Sequence, residues 1–160
     1  MRRKDQEIAD FDEIVAVLAQ CDVIRLGIWA EECPYVVPVS FGYAVEEGRL
    51  AIYFHGADVG QKHTLLAQCS RVCVEADRFL GYVDTGHSFT ANYESVIGCG
   101  TAAVVTGAQA VRGLSLLLQH CGFCTDSAEA CEKITRVYRI EIETITGKRR
   151  LAEQKKSGGT

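Results

Sequence analysis

The spacing of apolar positions changes several times along the chain, and each change marks an element. Phe11, Ile14, Val15 and Leu18 recur at helical spacing behind Asp10, a capping residue, and predict a helix that ends near Cys21. The run VIRLGIW at 23–29 reads as a strand. In PYVVPVSFGYA, Val37, Val39, Phe41 and Tyr43 share one face of a predicted strand, and Val36, Pro38, Ser40 and Gly42 share the other. Pro38 has no N–H for a ladder, so this strand is expected to leave one side open. EEG at 46–48 predicts a tight turn into the strand RLAIYFH. HGADVG then interrupts the pattern, and QKHTLLAQC resumes it as a short helix.

Farther on, SRVCVEA at 70–76 reads as a strand, and residues 89–106 hold one or two more, with Gly98 and Gly100 letting the sheet bend. A helix is predicted over 108–120. The segment 121–133 has no clear period. Residues 136–145 form a strand with Tyr138, Ile140 and Ile142 opposite Arg139, Glu141 and Glu143. Six or so short strands and two or three helices predict a mainly β fold, an antiparallel, closed or nearly closed barrel with helices packed outside. No repeat or linker divides the chain, so 1–147 is expected to be a single domain. The basic stretch at 148–160, with Ser157, Gly158 and Gly159, is expected to be a flexible tail.

Composition narrows the function classes. At 160 residues and 48% hydrophobic, the chain can bury one real core. The net charge of −4 and the lack of a basic stripe argue against nucleic acid or an anionic membrane as partner. The N-terminus MRRKDQEIADFDEIV turns acidic where a signal peptide would be apolar, and no window reaches membrane length, so a cytoplasmic location is expected. Eight cysteines embedded in apolar patterns then read mostly as reduced core thiols.

Chemistry concentrates in IYFHGADVGQK at 52–62. A strand ends in a loop bearing Gly56 and Gly60, and a helix begins with Lys62 in its first turn, a layout suited to an anion. It is neither a Walker loop nor a GxGxxG fingerprint. His55, at the strand end, suits hydrogen bonding to the loop, proton donation, or ligation of a metal or haem. His63, His87 and His120 have no arrangement that singles them out. HCGFC at 120–124 pairs Cys121 with Cys124, and Cys131 follows. These thiols read as packing residues, with a metal site or a dithiol redox sensor as the alternative.

PYVVPVSFGY, IYFHGADVGQK and ESVIGCGTA stand in the order seen in split-barrel flavoproteins, and with the opening MRRKDQEI and the closing ITGKRR the whole chain resembles that group. It is similar to the pyridoxamine 5′-phosphate oxidase-related family, and within it to the nitroimidazole-resistance branch. The resemblance implies a homodimer with FMN in a cleft between subunits. Lys62 would hold the phosphate, with the backbone of Gly60 and Gln61. Pro38, Val39, Ser40 and Phe41 would lie beside the isoalloxazine, with Phe54, His55 and Gly56 on the neighbouring strand. Glu94, Ser95 and Val96 would close the site, contributed by the partner subunit. Val37 and Gly42 stand where the oxidase proper carries an arginine and a lysine, and its long C-terminal segment is missing, which argues against oxidation of pyridoxamine phosphate. The favoured expectation is an FMN-dependent oxidoreductase acting on a small electron-poor substrate. A non-enzymatic flavin or haem carrier is the alternative.

Overall fold

The computed structural model describes residues 3–86 and 88–153. The strands are β1 (Glu7–Ile8), β2 (Ile24–Ile28), β3 (Tyr35–Val39), β4 (Gly42–Glu46), β5 (Arg49–Gly56), β6 (Arg71–Asp84), β7 (Phe89–Val105) and β8 (Arg136–Arg150). The helices are α1 (Phe11–Leu18), α2 (Gln61–Gln68), α3 (Gly107–His120) and α4 (Ala128–Glu132). They build two compact units, one of residues 22–75 and 98–145, the other of the described parts of 1–21, 76–97 and 146–160. Each is described by itself.

In the larger unit seven strands form one sheet in the order β3-β2-β6-β7-β8-β5-β4. Its two edges, β3 and β4, are separated in the chain only by Ser40 and Phe41. The three peptide links from Val39 to Gly42 span at most about 11 Å. The sheet therefore curls until its edges lie close, yet no ladder joins them, and the barrel stays split. The architecture is mainly antiparallel with flanking helices, as the hydrophobic pattern predicts.

This topology corrects the expected single strand over PYVVPVSFGYA. β3 pairs only with β2, β4 only with β5, and the chain leaves one ladder for the other at Ser40. Pro38 accordingly lies on an edge strand. The β4–β5 turn places Glu47 at φ 52° and Gly48 at φ 76°, the left-handed pair that matches the twist of a two-residue hairpin. β5 is buried continuously from Leu50 to Phe54 because both of its faces are covered. α3 covers one of them, and a Cβ on its Gly113 would stand 2.5 Å from the Tyr53 ring. A Cβ on Gly42 would overlap the backbone of Leu116 and Leu117, so glycine there seats α3 against β4. Gly98 and Gly100 also stand at close approaches to neighbouring strands. A side chain at Gly100 would overlap the Glu141 carbonyl of β8.

In the smaller unit Asp10 caps α1 as expected, its carboxylate accepting the Glu13 amide at 2.9 Å. Ile14, Val17 and Leu18 bury the apolar stripe, each worth roughly 1.5–3 kcal/mol. β1 pairs with the end of β8, Glu7 opposite Lys148 and Ile8 opposite Gly147. Lys148, Arg149 and Arg150 thus belong to a strand, whereas 154–160 lie outside the described residues.

The strand count also differs from the expected six. Eight occur among the described residues, because β1 is too short to show a period and the run expected as one strand divides into β3 and β4. Among the described residues no helix is long and apolar enough to cross a membrane.

Candidate functional site

The loop between β5 and α2 is built as its sequence suggests. Gly60 stands at the N-cap of α2 with φ 130°, where a side chain would be strained, and no side chain caps the helix. The first turn carries Gln61, Lys62 and His63 and no acidic residue. Lys62 folds back over the loop. Its Nζ lies 5.1 Å from the centroid of the Phe54 ring and 3.5 Å from the His55 carbonyl. A Cβ on Gly56 would stand only 3.1 Å from Lys62 Cε and Nζ, so glycine admits the amine. Burial pushes the Lys62 pKa below its ordinary value. No carboxylate among the described residues pairs with it. A half-buried cation in that state is stabilised by an incoming anion.

His55 is held by a short relay. The Thr135 hydroxyl donates to the Gly56 carbonyl at 2.8 Å, which spends its only proton, and the same oxygen lies 3.1 Å from His55 Nδ1. Nδ1 therefore carries the ring N–H and donates to Thr135, which leaves the Nε2 lone pair available in the neutral ring. Burial first, and the charge of Lys62 second, push the His55 pKa down. The imidazole is neutral at pH 7, and its one N–H is already committed.

Four residues of this cluster carried no sequence signal. Arg136 begins β8 directly across from Gly56, donates to Asp58 at 3.1 Å, and lies 3.4 Å from His63 Nδ1. His63 Nδ1 also stands 2.9 Å from the Tyr138 hydroxyl. Thr135 and Arg136 are some eighty positions away in the chain, and only the β5–β8 pairing brings them to the loop. His63 is therefore part of the loop cluster, although its position in the chain gave no reason to single it out. His120 packs against Phe41 at 4.4 Å between ring centroids, whereas His87 lies outside the described residues.

The other expected site residues fall into two groups. Pro38 and Ser40 are exposed and Val39 half-buried, along and just beyond the open edge. Phe41, Phe54 and Val96 are fully buried, so they offer a ligand backbone rather than side chains. Phe54 stacks on Tyr138 at 4.8 Å. In the smaller unit the carboxylate of Glu94 is already engaged, accepting from Arg149 Nε at 2.6 Å and Arg78 Nη1 at 2.9 Å, with Ser95 half-buried beside it.

Cys121 and Cys124 are exposed, and Cys131 packs against the core of α3 and α4. Among the described residues no three His, Cys, Asp or Glu side chains are placed to hold a metal ion. Cys131 instead lines an apolar cavity of about 400 Å³ together with His55, Thr135, Ile134, Leu114, Leu117 and Leu118.

Residues 10–149 match the family model described as pyridoxamine 5′-phosphate oxidase. The chain belongs to this family. Among solved structures, the pyridoxamine 5′-phosphate oxidase fold recurs in a candidate 5-nitroimidazole antibiotic resistance protein from Bacteroides thetaiotaomicron, at 26% identity and a TM-score of 0.75, covering 89% of this chain and 85% of that one. The flavocytochrome Anf3 from Azotobacter vinelandii is 20% identical, with a TM-score of 0.75 over 99% of this chain and 75% of its own. The FAD and heme binding protein from Mycobacterium smegmatis is 16% identical, with a TM-score of 0.75 over 97% and 81%. Among curated proteins no sequence matches the chain.

Proposed function

We propose that this member of the pyridoxamine 5′-phosphate oxidase family binds FMN and acts as an oxidoreductase on a small, flat, electron-poor substrate such as a nitro-aromatic. The observation that carries the reading is Lys62, a half-buried ammonium without a carboxylate partner, at the start of a helix whose N–H groups have no side-chain cap. A phosphate satisfies both at once. Arg136 adds a second cation at the same loop, paired with Asp58 at 3.1 Å.

Flavin, when bound, would supply the electron transfer to the substrate. The protein's part is to orient the flavin and exclude water. The apolar cavity beside His55 suits the flat face of a substrate. His55, neutral and with Nδ1–H spent on Thr135, serves as a hydrogen-bond acceptor through Nε2 rather than as a proton donor at pH 7. Val37 and Gly42 add no cation to the β3–β4 segment, which supports a substrate other than pyridoxamine phosphate.

The active form in this reading is a cytoplasmic homodimer whose second copy completes the cleft. The exposed aromatics Phe79, Tyr82 and Phe89 of the smaller unit, in ring contact with one another, support a protein partner. A second reading, haem carriage, is favoured by the free Nε2 of His55 next to an apolar cavity.

The absorbance spectrum of the purified protein, followed by extraction of its cofactor, tests both. Oxidised-flavin bands and extractable FMN are expected. A Soret band lost in His55→Ala transfers the site to haem, and a colourless protein that takes up neither cofactor removes both readings. Solution mass tests the dimer, and a monomeric flavin-bound protein contradicts the shared cleft.

A further inference from the structure

One face of the sheet carries chemistry that the cofactor reading does not use. Three contacts in the larger unit define the register between β6 and β7. The Ala102 amide donates to the Ser70 carbonyl at 2.8 Å. Arg71 Nη1 reaches the Thr101 hydroxyl at 3.5 Å. A Cβ on Gly98 would touch Val74 Cγ2 at 3.3 Å. Across these pairs one residue number rises as the other falls by the same amount, so no bulge intervenes. Cys73 therefore stands directly across from Cys99.

The Ala102–Ser70 contact makes those two residues a bonded pair, and by the alternation of an antiparallel ladder Cys73 and Cys99, three steps along, are a non-hydrogen-bonded pair with Cα atoms about 4.5 Å apart. A disulfide needs a Cα separation of about 4.4–6.8 Å, so the backbone need not move to form one. Arg71 and Thr101 share the face with the two thiols, and both bond the Glu143 carboxylate of β8, Arg71 at 2.5 Å and Thr101 at 2.8 Å. That clamp ties three strands together next to the thiols and holds the register. Cys73 is exposed and Cys99 half-buried. Burial and then the adjacent Cys99, which hydrogen-bonds with it, push the Cys73 pKa up.

We propose that Cys73 and Cys99 are a redox-active dithiol that closes to a disulfide across β6 and β7 on exposure to hydrogen peroxide. One thiol, as its thiolate, attacks a peroxide oxygen. An S–O bond forms, the O–O bond breaks, and a sulfenic acid and one water result. The other thiol attacks that sulfur. The S–S bond forms, the S–O bond breaks, and the second water leaves. In balance, the thiols lose two electrons and two protons, and one peroxide becomes two waters. With one sulfur exposed, the bond is of the readily reduced kind, so a dithiol reductant reopens it. The device is independent of whether the barrel binds flavin.

The test treats the full chain with one equivalent of hydrogen peroxide, alkylates the remaining thiols and maps the peptides by mass. Free thiols are expected to fall from the eight of the sequence by two, with a linked pair of peptides containing Cys73 and Cys99. Dithiothreitol should restore all eight. Cys73→Ser and Cys99→Ser should each abolish the linked pair while leaving flavin uptake unchanged. A two-thiol loss that maps to Cys121 and Cys124, or eight thiols surviving treatment that oxidises a free dithiol control, would overturn the proposal.

Discussion

Replacing Lys62 by methionine keeps an unbranched stem over Phe54 and removes the charge. In the protein without ligand that charge contributes little. Its only polar neighbour, the His55 carbonyl, is at the limit of hydrogen-bond length, and its position over Phe54 is worth about 0.5–1 kcal/mol. Desolvation opposes that gain, as the lowered pKa indicates. Stability of Lys62→Met in urea should therefore stay within about 0.5 kcal/mol of the parent. FMN affinity should fall much further, because a hydrogen bond to a charged group is lost, worth about 1.5–3 kcal/mol. At about 1.4 kcal/mol per tenfold, Kd rises roughly 10- to 150-fold. Quenching of flavin fluorescence on titration measures it, and riboflavin, which lacks the phosphate, is the control. Riboflavin should bind parent and variant alike. Unchanged FMN affinity, or equal losses for FMN and riboflavin, would refute the assignment of the phosphate to Lys62.

The remaining predictions concern titration and packing. The His55 pKa is lower in the folded chain than its unfolded value of about 6.5, so as pH falls the unfolded chain takes up the proton first. The ring's contribution to stability is thus present above about pH 6.5 and lost as pH falls from there through the folded pKa. An NMR titration should give a midpoint below that of free histidine, moving upward in Lys62→Met, and a midpoint at or above 6.5 contradicts the packing around the ring. Gly42→Ala drives a Cβ into the backbone of α3 and should cost about 1–3 kcal/mol in urea unfolding, provided the helix shifts to absorb it. No loss at all would mean that α3 does not rest on β4 as described.

How much of the site was legible depended on the range of the interactions that make it. The β5–loop–α2 segment could be read directly, because strand end, glycines, helix start and lysine are neighbours in the chain. Thr135, Arg136 and Tyr138 could not, since nothing near them in sequence marks them, and they reach the loop only through a ladder between strands some eighty residues apart. Phe41 and Phe54 were legible as apolar residues of the segments that carry the family likeness. Their complete burial was not, because alternation tells which residues share a face and not which face the core will take.

What the sequence by itself determined is what local physics encodes. Asp10 and the stripe behind it make α1, the Glu47–Gly48 turn makes the β4–β5 hairpin, and Pro38 keeps its strand at an edge. The family likeness followed from motifs in order. Only the tertiary structure decided where the sheet splits. A continuous apolar run such as PYVVPVSFGYA carries no mark of the residue at which it changes partners, and the break at Ser40 arises because β3 and β4 find their ladders on different strands. The same holds for Cys73 and Cys99, twenty-six positions apart in the chain. Their being opposite each other is a property of register, which is set by every contact along β6 and β7 at once.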